Sequence, residues 1–196
     1  MITEKLINSI FKNTNIFYSF RNLVHNNFTK EKLILRKELD KNKKTLDLGC
    51  GIGQYSYLFN NYVGVDIEKD NIIFAKRKFK KDFRLIKNVS DLKNEKFDQI
   101  FSTMTFHHIN NKELFGIFNF LSKILSKNGR LLIIDHLNVK SQKSLIGKVM
   151  LANDRGKYPR NITQLKPIFD KYFKIEKYYY YKTGPYNDYV LILNKK

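Results

Sequence analysis

Residues 46 to 53 read Leu-Asp-Leu-Gly-Cys-Gly-Ile-Gly, and the apolar run Tyr62-Val-Gly-Val-Asp66 follows closely and ends on a carboxylate. Glycine tolerates positive φ and carries no Cβ, so glycines at 49, 51 and 53 let bare backbone approach a ligand. Asp66, closing the next strand, offers two oxygens that can accept both hydroxyls of a ribose. The dinucleotide-binding spacing G-x-G-x-x-G requires a third glycine at position 54, which is Gln54, so the loop reads D-x-G-x-G-x-G instead.

Two further segments carry chemistry. Phe97-Asp-Gln-Ile-Phe-Ser-Thr-Met-Thr-Phe-His-His108 places adjacent imidazoles where an apolar strand ends, and Asn128-Gly-Arg-Leu-Leu-Ile-Ile-Asp135 is a strand that ends on an acid. His136 follows, and Asp154-Arg-Gly-Lys-Tyr-Pro-Arg160 offers two guanidinium forks and a phenol. Arg155, Tyr158 and Arg160 suit a carboxylate or phosphate; alternatively, one arginine ties its loop to Asp135 or Asp154.

The elements that must position these residues alternate. The pattern predicts strands over 44–48, 62–66, 83–87, 97–102 and 130–135, with helices over 54–60, 70–80 and 111–126, the last ended by Gly129. Such alternation implies a parallel sheet covered on both faces. A helix over 162–172 and strands over 173–181 and 189–194 close the chain. Thr183-Gly-Pro-Tyr-Asn187 is rich in turn formers, which makes the last two strands an antiparallel hairpin. Tyrosines 178 to 181 alternate along a strand, so half of the rings face each side, and packing is a better account of them than base stacking.

The three motifs, in this order, resemble those of class I S-adenosylmethionine (SAM) dependent methyltransferases, and the resemblance covers roughly residues 30 to 196, with 1–29 and 137–160 left to subfamily variation. It implies an α/β, Rossmann-like fold with a mostly parallel seven-stranded sheet, a C-terminal antiparallel hairpin and N-terminal lid helices. The expected single domain divides into cap helices (1–43), a SAM-binding core (44–136), an acceptor-side loop (137–160) and a C-terminal helix and hairpin (161–196). Asp47 and the backbone of Gly49, Cys50, Gly51 and Gly53 would hold the amino-acid end of SAM. Asp66 would take the ribose and Ile67 one face of the adenine. Asn88 stands where the family often has an acid for the adenine amino group, with Asp91 as the competing residue and the Val89 amide beside it. Ser102 and Thr103 would lie beside the methionine portion.

His107 and His108 are the catalytic candidates, as a general base or as residues that shape the site. Tyr18, Phe20 and Arg21 are lid candidates or plain packing, and Tyr18, Arg21, His136, Arg155, Tyr158 and Arg160 are the acceptor-side candidates. The acceptor implied is a small molecule, an anionic metabolite, sugar or lipid precursor methylated on oxygen or nitrogen. RNA methylation on ribose or ring nitrogen is the alternative, and a noncatalytic partner subunit the third.

Composition bounds these readings. The chain has 196 residues, 37 basic and 18 acidic, for a net charge of +19. That excess invites nucleic acid or an anionic membrane, but it is mostly lysine spread along the chain with abundant Asn and Ile, and dispersed charge is weaker evidence than a patch. Cys50 is the one cysteine, so no intramolecular disulfide or thiol cluster is available, and no metal site is expected. No apolar run reaches transmembrane length, which leads us to expect a cytoplasmic protein.

Overall fold

The computed structural model describes residues 28–154 and 156–196. A seven-stranded sheet has the order β3-β2-β1-β4-β5-β7-β6. Its strands are β1 (Thr45–Leu48), β2 (Tyr62–Asp66), β3 (Asp82–Leu85), β4 (Phe97–Thr103), β5 (Leu125–His136), β6 (Phe173–Thr183) and β7 (Tyr186–Lys195). The first five run parallel, while β7 pairs antiparallel with both β5 and β6. Strand order reverses between β1 and β4, and the crevice beyond the carboxyl ends of such strands is where open α/β sheets bind ligands.

Both faces are covered, as a parallel sheet requires. Along β5, Leu131 and Ile133 point to one face and Leu132 and Ile134 to the other. The first face packs against α3 (Asn111–Ile124) and α5 (Ile162–Phe169), through Phe118, Leu121, Leu165 and Phe169. The second packs against α1 (Thr29–Glu38) and α2 (Lys69–Lys78), through Leu35, Ile72 and Ala75. Asn110 caps α3 by accepting from the Glu113 amide at 3.0 Å.

Four expectations need correction. The segment 54–60 forms only a 3-10 turn over Ser56–Leu58, because the chain must return to Tyr62 within a few residues. Helix α3 ends at Ile124, where Leu125 is already extended (ψ 133°), so Gly129 is not its stop. Helix α5 stops at Phe169 rather than 172, with Pro167 inside it. The acceptor-side stretch is not a plain loop, since it contains α4 (Leu145–Ala152), capped by Ser144. The hairpin forms as expected, turning at Gly184 (φ 50°), and its strands are longer than their apolar runs.

The tyrosine run divides as its alternation dictates. Tyr179 and Tyr181 pack under α1, and the Tyr181 hydroxyl donates to buried Glu31 at 2.9 Å. Tyr178 and Tyr180 are exposed.

Candidate functional site

The glycine loop sits on the β2 end of the crevice. The amides of Gly49 and Cys50 both donate to the Val65 carbonyl at 2.9 Å, and the Gly51 amide donates to Asp66 Oδ2 at 2.7 Å. Asp66 Oδ1 accepts from the Glu68 amide at 2.8 Å. Each carboxylate oxygen therefore holds the loop or the following turn and keeps a second lone pair for another donor.

The glycines of the loop do different jobs. A Cβ on Gly53 would meet the Phe83 ring at 2.5 Å and Ala75 Cβ at 3.2 Å, so this residue lets the loop close onto β3 and α2. A Cβ on Gly51 would meet nothing within 4 Å, and its φ is +53°. The side where its Cβ would stand is open space. Gly49 lies against Thr105, on the turn that leaves β4.

Asp47 is fully buried, and its Oδ2 accepts from the Tyr62 hydroxyl at 2.7 Å. Oδ1 is buried without a hydrogen-bond partner. Tyr62 and Asp47 share a face because the register is Thr45↔Tyr62 and Asp47↔Gly64, and Gly64 makes room for the ring: a Cβ there would lie 2.7 Å from the Tyr62 hydroxyl. Burial pushes the Asp47 carboxyl up to about 8, the Tyr62 bond opposes this and nearby Asp66 adds to it. The same burial raises the thiol of Cys50 well above its ordinary range.

The remaining cofactor-side candidates have defined positions. Ile67 is 69% exposed, an apolar surface beside Asp66. Asn88 caps the 3-10 turn Val89–Leu92, its Oδ1 accepting from the Ser90 amide, while Asp91 Oδ2 accepts from the amides of Lys87 and Asn88. Both competing residues thus belong to one capping box. Ser102 is buried and donates to the Leu48 carbonyl at 2.8 Å, pinning β4 to the end of β1. Thr103 is buried next to it. Met104 then adopts φ 50°, a conformation unusual for a side-chain-bearing residue, and turns the chain toward the histidines.

The two histidines part company. His107 is buried; its Nδ1 lies 2.5 Å from Asp135 Oδ1, its amide donates to Asp135 Oδ2, and Nε2 lies 3.4 Å from Asp154 Oδ1. Burial works against a charged ring, but the two carboxylates outweigh it and hold the imidazole up at about 9. His108 is exposed, with its ring 4.1 Å from that of His107. His136 is buried, and its Nδ1 lies 2.6 Å from Asp188 Oδ1, its cross-strand neighbour on β7.

On the acceptor side, Arg160 does not present the expected fork. Its Nε donates to Asn111 Oδ1 at 2.7 Å, Nη1 to the carbonyls of Phe106 and Tyr158, and Nη2 to the carbonyl of Ile109. It ties its loop to the turn after β4 through carbonyls rather than through Asp135 or Asp154, and the Phe106 carbonyl that it reaches also accepts from the Ile109 amide at 3.1 Å. Tyr158 is 41% exposed, with its amide donating to the His107 carbonyl. Tyr18, Phe20, Arg21 and Arg155 lie outside the described residues. Sequence reading missed Tyr62, Asp188 and Glu31; the signals were a tyrosine two residues before Gly64, and acids within otherwise apolar or helical runs.

A family described as a methyltransferase domain matches residues 39–181. An uncharacterized methyltransferase of Schizosaccharomyces pombe is 30% identical over 61% of this chain and 50% of its own length. The chain spans about half the length of the curated relatives it matches. Among solved structures, a SAM dependent methyltransferase from Archaeoglobus fulgidus superposes with a TM-score of 0.73 at 19% identity, covering 92% of this chain and 99% of that one. The magnesium protoporphyrin IX methyltransferase of Synechocystis PCC 6803, with bound SAH, gives 0.69 at 16% identity, covering 99% and 100%. These likenesses show that the chain has the α/β, Rossmann-like fold of methyltransferases.

Proposed function

Because the chain belongs to the methyltransferase-domain family, we propose that it binds S-adenosylmethionine at the loop after β1 and transfers the methyl group to an oxygen or nitrogen of a small acceptor. The observation that carries this reading is Asp47 Oδ1, buried without a hydrogen-bond partner beneath a loop with open space where a Gly51 Cβ would stand. A buried carboxylate oxygen left unpaired costs stability unless a ligand donor reaches it, directly or through water.

The residues fit such a cofactor. Asp47 would meet its ammonium, and the open space beside Gly51 would admit the amino-acid end, since the Gly51 amide is already committed to Asp66. Asp66 retains lone pairs for a ribose diol, and exposed Ile67 offers an apolar face for adenine. Val89 and the capping pair Asn88 and Asp91 stand at the next strand end, and Ser102 and Thr103 at the end of β4. When bound, S-adenosylmethionine supplies a methyl group already activated by its sulfonium.

The chain's own task is then alignment. Holding two reactants in line is worth up to about 7 to 11 kcal/mol, so a base is needed only for an acceptor whose proton must leave early. His107 is poorly placed as that base, since it is buried and both ring nitrogens face carboxylates. It acts as a positioning residue that holds the β4 turn to β5 and to Asp154. His108, exposed at the same turn, is the histidine that can meet an acceptor.

An anionic metabolite, sugar or lipid precursor remains the acceptor class we favour, now resting on Tyr158 and Arg155 rather than on Arg160. The net charge of +19 supports RNA as a second reading. Against base-amine methylation, the segment at the end of β4 reads Ser102-Thr-Met-Thr, without the Asn/Asp-Pro-Pro-aromatic run such enzymes generally carry. Buried Cys50 is no nucleophile for cytosine. The test is transfer of labelled methyl from SAM to pools of small acidic hydroxy and amino compounds and, separately, to RNA. Label in the small-molecule pool alone supports the proposal, and label in RNA alone replaces it.

A further inference from the structure

Sequence spacing gives no reason to expect a metal, but the fold brings together two imidazoles and a carboxylate that are far apart in the chain. One ligand atom from each of His107, His108 and Asp154 lies within 4.8 Å of the others. We propose that these three residues form a site for a divalent first-row transition ion, of which zinc and cobalt are the probes, with open coordination positions on the acceptor side.

The first argument is orientation. Metal-bound histidines characteristically donate the second ring N–H to a carboxylate, which fixes the tautomer and aims the other nitrogen. Asp135 lies 2.5 Å from His107 Nδ1, and it is itself held by the amides of His107 and His136. Nε2 of His107 is left to face Asp154. The Asp154 carboxylate is aimed in turn, because Oδ1 accepts from the Gly156 amide at 2.6 Å. Glycine is required at 156, where a Cβ would collide with the His107 ring.

The second argument is spacing. His107 Nε2 and Asp154 Oδ1 are 3.4 Å apart, longer than an ordinary N–H···O bond of about 2.7 to 3.2 Å. Two ligands each about 2.0 to 2.2 Å from one tetrahedral ion are separated by roughly 3.2 to 3.6 Å. No separation in the cluster exceeds 4.8 Å, so at most about an ångström of contraction is needed, and exposed His108 can supply it by a change of rotamer.

The third argument is chemical. Two imidazoles and one carboxylate suit zinc, iron, cobalt and nickel, and three protein ligands leave room for water or an acceptor oxygen. His107 is buried whereas Asp154 and His108 are exposed, so the open side faces outward at the carboxyl edge of the sheet. That the occupant of the open position is a methyl acceptor rests on the function proposed above; metal binding does not.

The test uses the full chain, stripped with a chelator and titrated with Co²⁺ and then Zn²⁺. We expect one equivalent of Co²⁺ to bind with visible d–d bands that Zn²⁺ displaces. His108→Ala alters an exposed side chain and should preserve the melting temperature while weakening binding by about ten-fold or more; Asp154→Asn should weaken binding as much, with a melt to show that the variant, which also loosens the His107 pair, is folded. Lack of Co²⁺ binding up to about 1 mM, an extracellular-type weakness, overturns the proposal. So does binding that survives the double variant, which would place the ion elsewhere. A SAM titration of the same sample reports on the cofactor site separately.

Discussion

The Tyr62 hydroxyl donates to Asp47 Oδ2 at 2.7 Å across the β1–β2 pair, while the other oxygen of the same carboxylate is buried with no partner. This half-satisfied acid sits directly under the glycine loop, at the point where the strand order reverses.

The pair makes a pH prediction. Burial, opposed by the Tyr62 bond and reinforced by Asp66, raises the folded Asp47 carboxyl from 3.8 to about 8. The folded state therefore holds this proton more tightly than the unfolded chain. The stability so contributed is full below about 3.8 and is lost as pH climbs through about 8. Asp47→Asn should gain stability relative to the wild type as pH is raised across that window, read by urea denaturation. A pH-independent difference between the two would show that Asp47 is ionised throughout.

Removing the hydroxyl alone tests the other partner. Tyr62→Phe leaves Asp47 with neither oxygen bonded, so unfolding should become easier by about 1 to 3 kcal/mol, the cost of an unsatisfied buried group. Unchanged stability at neutral pH would mean that the bond contributes nothing in solution.

Two neighbouring glycines should give opposite phenotypes. Gly53→Ala drives a methyl into Phe83 and should destabilise the fold by about 2 to 4 kcal/mol, combining overpacking with a left-handed backbone. Gly51→Ala meets open space, so it should cost only about 1 to 2 kcal/mol of backbone strain and should show itself chiefly as weaker SAM binding. Thermal melts paired with SAM titrations separate the two; equal stability losses would contradict the division of labour.

Arg160 should behave as a structural clamp. Arg160→Lys keeps the charge but cannot reach three carbonyls and Asn111 together. We expect a loss of about 2 to 4 kcal/mol in stability, with the SAM affinity of the folded fraction unchanged. Full stability combined with loss of turnover would restore it as an acceptor ligand.

What could be read from the chain follows from where the information is local. Alternation of strand and helix, the glycine loop and Asp66 are each written in a few consecutive residues, and the sheet order confirms the hairpin ending that the turn residues announce. The helix expected over 54–60 failed because apolar spacing does not reveal how few residues remain before Tyr62. Gly129 misled because a glycine after an apolar helix reads as its stop, whereas the backbone was already extended at Leu125. The partners of His107 and Arg160 were out of reach for a different reason. Asp135, Asp154 and the Phe106 and Ile109 carbonyls converge only through tertiary packing, and no spacing in the sequence encodes their distances.

Calorimetric titration of the purified chain with SAM and S-adenosylhomocysteine tests the central claim most directly. The account predicts one site for each, with Asp66→Ala weakening binding by about 1.5 to 3 kcal/mol while a thermal melt shows the variant folded. A cooperatively folded wild-type sample that gives no binding signal with either compound would contradict it.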